Sequence, residues 1–225
     1  MIELQVDIVS DVVCPWCVIG YKQFERALDR LTGTFDVSLR WRAFELNPGM
    51  PPEGQDLREH LAQKYGPDAG RGSGTRERLV ALGADLGFTF DYHDGMRVVN
   101  TFPAHQLLHW AYESGQQTQL KLALFSAFFS ERRDPSDREV LLEIVANLGL
   151  DVTEAREVLE SERYAQAVRN EEQDWLDKDI HAVPAFIFNE RYSVLGAQDA
   201  DTFVRVLRKI ESRASSASVS AEARL

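Results

Sequence analysis

The chain has 225 residues, 44% hydrophobic and 27% charged, the balance of a soluble globular protein long enough for a sizeable core. Its net charge of −11 excludes a broad nucleic-acid face, which needs a basic surface, and disfavours attachment to an anionic membrane. No apolar run approaches the length of a membrane span, so neither nucleic acid nor membrane is expected as a partner.

In chain order, Ile2 to Val9 alternates apolar and polar residues, the period of a half-buried strand. It begins almost at the first residue, with no basic or apolar leader pattern before it. The two cysteines of the chain, Cys14 and Cys17, share one motif and leave no structural disulfide framework, so a cytoplasmic location is expected. Downstream, Ile19, Phe24, Ala27, Leu28 and Leu31 recur at helical spacing. Cys14-Pro15-Trp16-Cys17 therefore lies where a strand turns into a helix, with Pro15 in the first helical turn, where a missing N–H costs nothing.

Unpaired N–H groups and the positive end of the helix dipole favour an anion there, so Cys14 is expected to ionise more easily than a free thiol. Cys17, about one turn further in, is placed to attack a mixed disulfide formed on Cys14. Two alternatives compete. The pair could be half a zinc site, but a structural site takes four ligands and there is no second cysteine pair. It could also be two ordinary core thiols. A CxxC that follows a strand and opens a helix reads as a redox motif of the thioredoxin type.

Val37 to Phe44 alternates again as a second strand, which completes a β-α-β unit. From about 55 to 179 the patterns are helical, with no convincing strand pair. Helices are expected around Leu57–Tyr65, Leu79–Leu86, Ala104–Tyr112 and Leu120–Phe129, the last with Phe125, Phe128 and Phe129 as core. Ser136-Asp137-Arg138-Glu139 fits a capping box that opens a helix ending at Gly149, Thr153 can cap another, and Tyr164–Asp179 forms one more. Gly70-Arg71-Gly72-Ser73-Gly74 is read as a flexible connector, because it follows a helix and lacks phosphate-loop spacing. Ala185–Phe188 and Tyr192–Leu195 form a hairpin, and Asp199–Ile210 a closing amphipathic helix. The Ser/Ala-rich stretch 211–225 is expected to be a disordered tail.

Neither β-α-β nor β-β-α makes a good sheet alone; joined, they give one α/β domain over 2–210 with a large all-helical insertion at about 55–179. That order, with Ser10-Asp11-Val12-Val13-Cys14-Pro15-Trp16-Cys17 and Phe44-Glu45-Leu46-Asn47-Pro48, resembles the DsbA family of the thioredoxin superfamily. Asn100-Thr101-Phe102-Pro103-Ala104-His105, Val183-Pro184-Ala185-Phe186 and Gly196-Ala197-Gln198 extend the resemblance toward its FrnE-like branch. The resemblance implies a thioredoxin-like fold, a cis Pro184 beside the cysteines, and Val183 as a docking edge for extended substrate. Pro15 and Trp16 would complete the substrate contacts.

Asp11 and His181 are candidate tuning residues, each with a plainer alternative: a turn or cap for Asp11, a surface or packing histidine for His181. His181-Ala182 stands where the family often has glycine, and the second C-terminal cysteine pair of some FrnE-like proteins is absent. His105 and His109 are spaced i, i+4, but without a His-Glu-x-x-His pattern or an obvious third ligand no metal is expected. The expected function is a thiol–disulfide oxidoreductase (reductase, isomerase or oxidase) acting on protein or small-molecule thiols and disulfides. No cofactor is expected beyond the Cys14–Cys17 disulfide itself, with a low-molecular-weight thiol such as glutathione as an exchange partner. The alternatives are a glutathione-dependent isomerase or kappa-class glutathione transferase, whose relatives typically carry serine at the Cys14 position, and a non-redox binding module using the proline groove. A homodimer is compatible with the sequence, although no seam is identifiable.

Overall fold

The computed structural model describes residues 1–66 and 73–222. Strand β1 (Ile2–Ser10) leads into helix α1 (Pro15–Asp29) and strand β2 (Phe35–Ala43), which pairs parallel to β1 from Ile2↔Phe35 to Ser10↔Ala43. Near the other end of the chain, β5 (Ala185–Phe188) pairs antiparallel to β1 with Val6 opposite Phe188, and β6 (Tyr192–Leu195) pairs antiparallel to β5. The sheet order is β2-β1-β5-β6, so its two central strands come from opposite ends of the sequence. This is the α/β, thioredoxin-like arrangement expected from β-α-β and β-β-α.

Between the halves lie α2 (Leu57–Tyr65), α3 (Ser73–Asp85), α4 (Phe102–Glu113), α5 (Gln117–Phe129), α6 (Arg138–Asn147), α7 (Val152–Ser161) and α8 (Ala165–Asp177). Helix α1 and the closing helix α9 (Ala200–Glu222) cover one sheet face, where Phe24 meets Phe186, Phe188 and Phe203 at ring distances of 5.7, 5.8 and 5.5 Å. On the other face, Trp175 of α8 and Ile180 join Val9, Ala185 and Ile187. Helices α4 to α7 share their own core of Leu107, Leu120, Leu124, Leu141, Val145 and Val158. Phe125, Phe128 and Phe129 are buried, but they face the sheet-side core rather than that of the helical block.

Several local expectations are corrected. Strand β1 is buried on both faces from Val6 onward, because α8 covers the side read as solvent-facing. Asp7 is accommodated there by Arg42 at 2.6 Å, and Arg42 also holds Glu171 at 2.7 Å. The block at 55–179 does contain a strand pair, β3 (Gln55–Asp56) with β4 (Arg97–Val98), too short to show any period. Helix α6 is capped by Asp137, which accepts from the Glu139 N–H, while Ser136 bonds to Asp134; α7 is capped by Asp151 rather than Thr153. Helix α9 runs through the expected tail as far as Glu222, since that stretch holds helix-favouring Ala and neither Gly nor Pro. Of the glycine-rich connector, Ser73 and Gly74 open α3, and residues 70–72 lie outside the described residues.

Candidate active site

The chain leaves β1 through a turn in which the Cys14 N–H reaches the Asp11 carbonyl at 3.4 Å. Cys14 is the N-cap of α1 with extended backbone (φ −95, ψ 108), Pro15 follows at the first helical position, and Cys17 N–H bonds the Cys14 carbonyl at 3.1 Å. No acidic residue stands in the first turn to oppose a thiolate. The motif is thus at a helix N-terminus, as its sequence position suggested.

Both cysteines are free thiols, Cys14 3% and Cys17 0% exposed. That burial reverses one expectation. Desolvation pushes the Cys14 thiol well above its ordinary range, with the Cys17 sulfur and the Asp11 charge adding to the rise and the Cys17 backbone N–H opposing it. In the closed dithiol form, removal from water outweighs the helix N-terminus.

Across from the thiols lies the loop before β5. The Cys14 Sγ is 3.7 Å from the Val183 carbonyl oxygen, and the Val183–Pro184 peptide bond is cis. Pro184 is held from two directions: its carbonyl accepts the Gly196 N–H at 2.8 Å, and Gly20 of α1 lies against its ring. A Cβ at position 20 would stand 3.1 Å from Pro184 Cγ, 3.3 Å from the Phe186 ring and 3.4 Å from Ala197. Gly20→Ala should be nearly neutral in stability, because the helix propensity gained, up to ~1 kcal/mol, is offset by those tight contacts. Gly20→Val should destabilise by ~1–3 kcal/mol through overpacking, read in urea unfolding, and displace the Pro184 loop from Cys14. If Gly20→Val unfolds at the parent's urea midpoint, Gly20 does not set that distance.

Asp11 lies directly behind. Its carboxylate accepts the Leu46 N–H at 2.8 Å and meets His105 Nε2 at 3.3 Å, both side chains being fully buried. Burial would raise this carboxyl, but His105, the Leu46 N–H and Lys121 together hold it below the usual carboxylate range. The Asp11 side chain does not cap α1. His181 is exposed and contacts Asp179 at 3.7 Å. Trp16 is half-buried, with the Arg78 guanidinium 5.8 Å from its ring. His105 and His109 go to different partners, Asp11 and the Tyr164 ring (4.8 Å).

Three residues were not singled out for the site by sequence reasoning. Lys121 of α5 is fully buried, its Nζ donating to the Ser10 carbonyl at 3.3 Å between the rings of Trp41 and Phe125. Burial pushes its ammonium down to about 8, against the pull of Cys17, Asp11 and Cys14. The available signal was a single lysine within Leu120-Lys121-Leu122-Ala123-Leu124-Phe125, which reads equally well as a long side chain reaching solvent. Tyr92 is the second: burial pushes its phenol far above the ordinary range, with the charge of Cys14 adding to the rise.

Glu45 is the third, buried against Arg169 with one carboxylate oxygen unpartnered among the described residues. Burial first, and then the charge of Glu172, push its carboxyl up to about 7, with His105 and Arg169 pulling the other way. Its folded value exceeds the unfolded one, so the folded state holds a proton that the unfolded chain has released. Native stability contributed by Glu45 is therefore intact at low pH and declines between pH 4.5 and about 7. Relative to the parent, Glu45→Gln should gain roughly 2–3 kcal/mol of unfolding free energy across that window. A parent–variant difference that stays flat with pH in urea titrations would contradict this.

The comparisons with known proteins agree with this geometry. A family model described as DSBA-like thioredoxin domain matches residues 5–208. A probable DsbA oxidoreductase from Streptomyces coelicolor is 33% identical and superimposes with a TM-score of 0.84, over 92% of this chain and 89% of that one. The uncharacterized protein YwbO of Bacillus subtilis is 25% identical over 205 residues, covering 91% of this chain and 96% of its own. The cytosolic disulfide reductase DsbM from Pseudomonas aeruginosa, in its structure with GSH, has the same fold at 19% identity and a TM-score of 0.59, over 91% of this chain and 98% of that one.

Proposed function

Because the chain belongs to the DSBA-like thioredoxin domain family, a family of thiol oxidoreductases, we propose that Cys14 and Cys17 are its working redox pair and that it acts on the reducing or isomerising side. One observation carries the reading: Cys14 caps α1 with its sulfur 3.7 Å from the Val183 carbonyl, and Cys17 follows one turn in. An extended substrate laid along Val183 would place its disulfide over Cys14, held by main-chain bonds that tolerate many sequences. Cys14 attacks one substrate sulfur and expels the other as a thiolate. Cys17 then attacks Cys14, leaving both substrate sulfurs reduced and the cysteines joined. Electrons pass through sulfur alone, with a small thiol such as glutathione, or a protein thiol, returning the pair to the dithiol.

Burial supports that direction. Strong oxidants of this kind owe their potential to a stabilised reduced form. Here burial pushes the Cys14 thiol up, so a stabilised thiolate is not the resting state. A cytoplasmic setting suits a chain whose only two cysteines form this pair, and among the described residues no helix is long and apolar enough to cross a membrane. The test is the reduction potential of the purified protein in defined glutathione buffers. A value at or below about −220 mV supports the reducing direction, whereas one near −120 mV makes the protein an oxidase.

A further inference from the structure

A small cavity of about 10 Å³ lies among β2, α4, α5 and α8, walled among others by Lys121, His105, His109, Arg40, Gln117 and Glu171. That volume is about one water-sized sphere, and a water held there needs polar partners. Two are at hand: His109 Nδ1 and Arg40 Nε are buried atoms with no partner among the described residues. His109 also borders a second space, a groove of about 730 Å³ between α8 and the β5–β6 hairpin. One imidazole thus adjoins both the inner cavity and the outer groove. On the inner wall, Lys121 interacts electrostatically with Cys17, Asp11 and Cys14.

We propose that His109, through a water in this cavity and Lys121, is the route by which the proton of Cys17 leaves the buried site for the groove beside α8. The assignment rests on the redox reading above. In the resolving step the Cys17 sulfur bonds to Cys14, the bond from Cys14 to the substrate sulfur breaks, and the substrate thiolate departs with that electron pair. The Cys17 thiol must shed its proton in the same event, and both cysteines are closed from bulk water. The Lys121 ammonium passes a proton to the water, the water passes one to His109, and the neutral amine of Lys121 takes up the proton of Cys17. His109 then releases its proton into the groove, where solvent or the departing thiolate accepts it. Lysine, water and histidine all end as they began.

The groups around His109 suit this task. Burial holds its imidazole below the ordinary range, Arg40 and Arg42 of β2 push the same way, and Glu171 of α8 and Glu113 of its own helix oppose them. The ring stacks on Tyr164. Held down in this way, the ring favours its neutral form, in which one ring nitrogen can accept a proton. Lys121 gives up a proton more readily than an exposed lysine, because burial has lowered it to about 8.

The test uses the full chain carrying a mixed disulfide between Cys14 and 5-thio-2-nitrobenzoate, with release of the coloured thiolate followed in stopped flow as Cys17 resolves it. His109→Gln should slow release at pH 7 by ~10- to 100-fold, the scale of a lost proton-transfer partner. It should leave the reduction potential at the parent's value, since a relay changes rates and not equilibria, and added imidazole should restore part of the rate. Lys121→Met, a volume-conserving apolar change, should also slow release. Release from His109→Gln at the parent's rate, or slowing accompanied by an equal shift in potential, overturns the relay. A parent protein that forms the mixed disulfide but never releases the thiolate overturns the redox reading itself, and the relay with it.

Discussion

Cys14→Ser should lower turnover of a disulfide substrate by at least ~10³-fold, the scale on which an enzyme loses its nucleophile. Serine fits the N-cap of α1 at least as well as cysteine, so the helix and the Pro184 loop should stand as before. Cys17→Ala has a different signature. The first attack survives, the resolving attack does not, and substrates accumulate as mixed disulfides on Cys14, visible on non-reducing gels and by mass. The placement of Cys17 supports this order, since it lies inside the first turn of α1 and is the more deeply buried of the two. Trapping by the Cys14 variant through Cys17 would reverse the assignment. Trapping by neither, with biological effect intact in the double variant, would turn the site into a binding groove with idle thiols.

Phe24→Ala should cost ~3–5 kcal/mol, the range for removing a fully buried aromatic ring, and lower the melting temperature by roughly 10 °C. Phe24 has no exposed surface, and its ring joins α1 to three rings from the C-terminal part of the chain: Phe186 and Phe188 of β5 and Phe203 of α9. Removing it leaves a cavity bounded by three rigid partners that cannot all close in. Phe186 lies two residues beyond Pro184, so exchange activity should decline in the same variant before unfolding is complete. A cost below ~1 kcal/mol would mean that the face under α1 repacks freely.

Much of this was legible locally. The strand before Cys14, the helix after it and the bounds of β5 and β6 follow from period and turn residues within windows of ten or so positions, and the structure places β5 and β6 at the expected residues. What failed locally did so where several capable residues stood side by side. Asp137 caps α6 in place of Ser136, and Asp151 caps α7 in place of Thr153, because an aspartate one position later in the first case and two positions earlier in the second reached the free N–H groups of the first turn. The interior of the site was not legible for a different reason. His105 meets Asp11 across 94 residues of sequence, and Lys121 meets Ser10 across 111. No window contains both partners, so a lysine in an apolar helix and a histidine on another gave no sign of a shared destination. The ionisation of Cys14 shows the same limit: the helix N-terminus is visible in the sequence, whereas the burial that outweighs it comes from the whole fold.

The sheet order has a consequence for how the protein is made. Its two central strands, β1 and β5, are separated by nearly the entire length of the chain. A ribosome therefore releases β1 with its long edge unpaired and keeps it waiting until the whole helical block has followed. Such long-range pairing is slow to form and leaves a hydrophobic edge open to the wrong partner during that interval. The thiols emerge early and the loop bearing Val183 late, so on the proposed redox reading a growing chain carries its cysteine pair before it has the edge proposed to dock a substrate. On that reading selectivity arrives only after the helical block and the loop beyond it have been made, and until then the nascent chain itself exposes two thiols to disulfide chemistry.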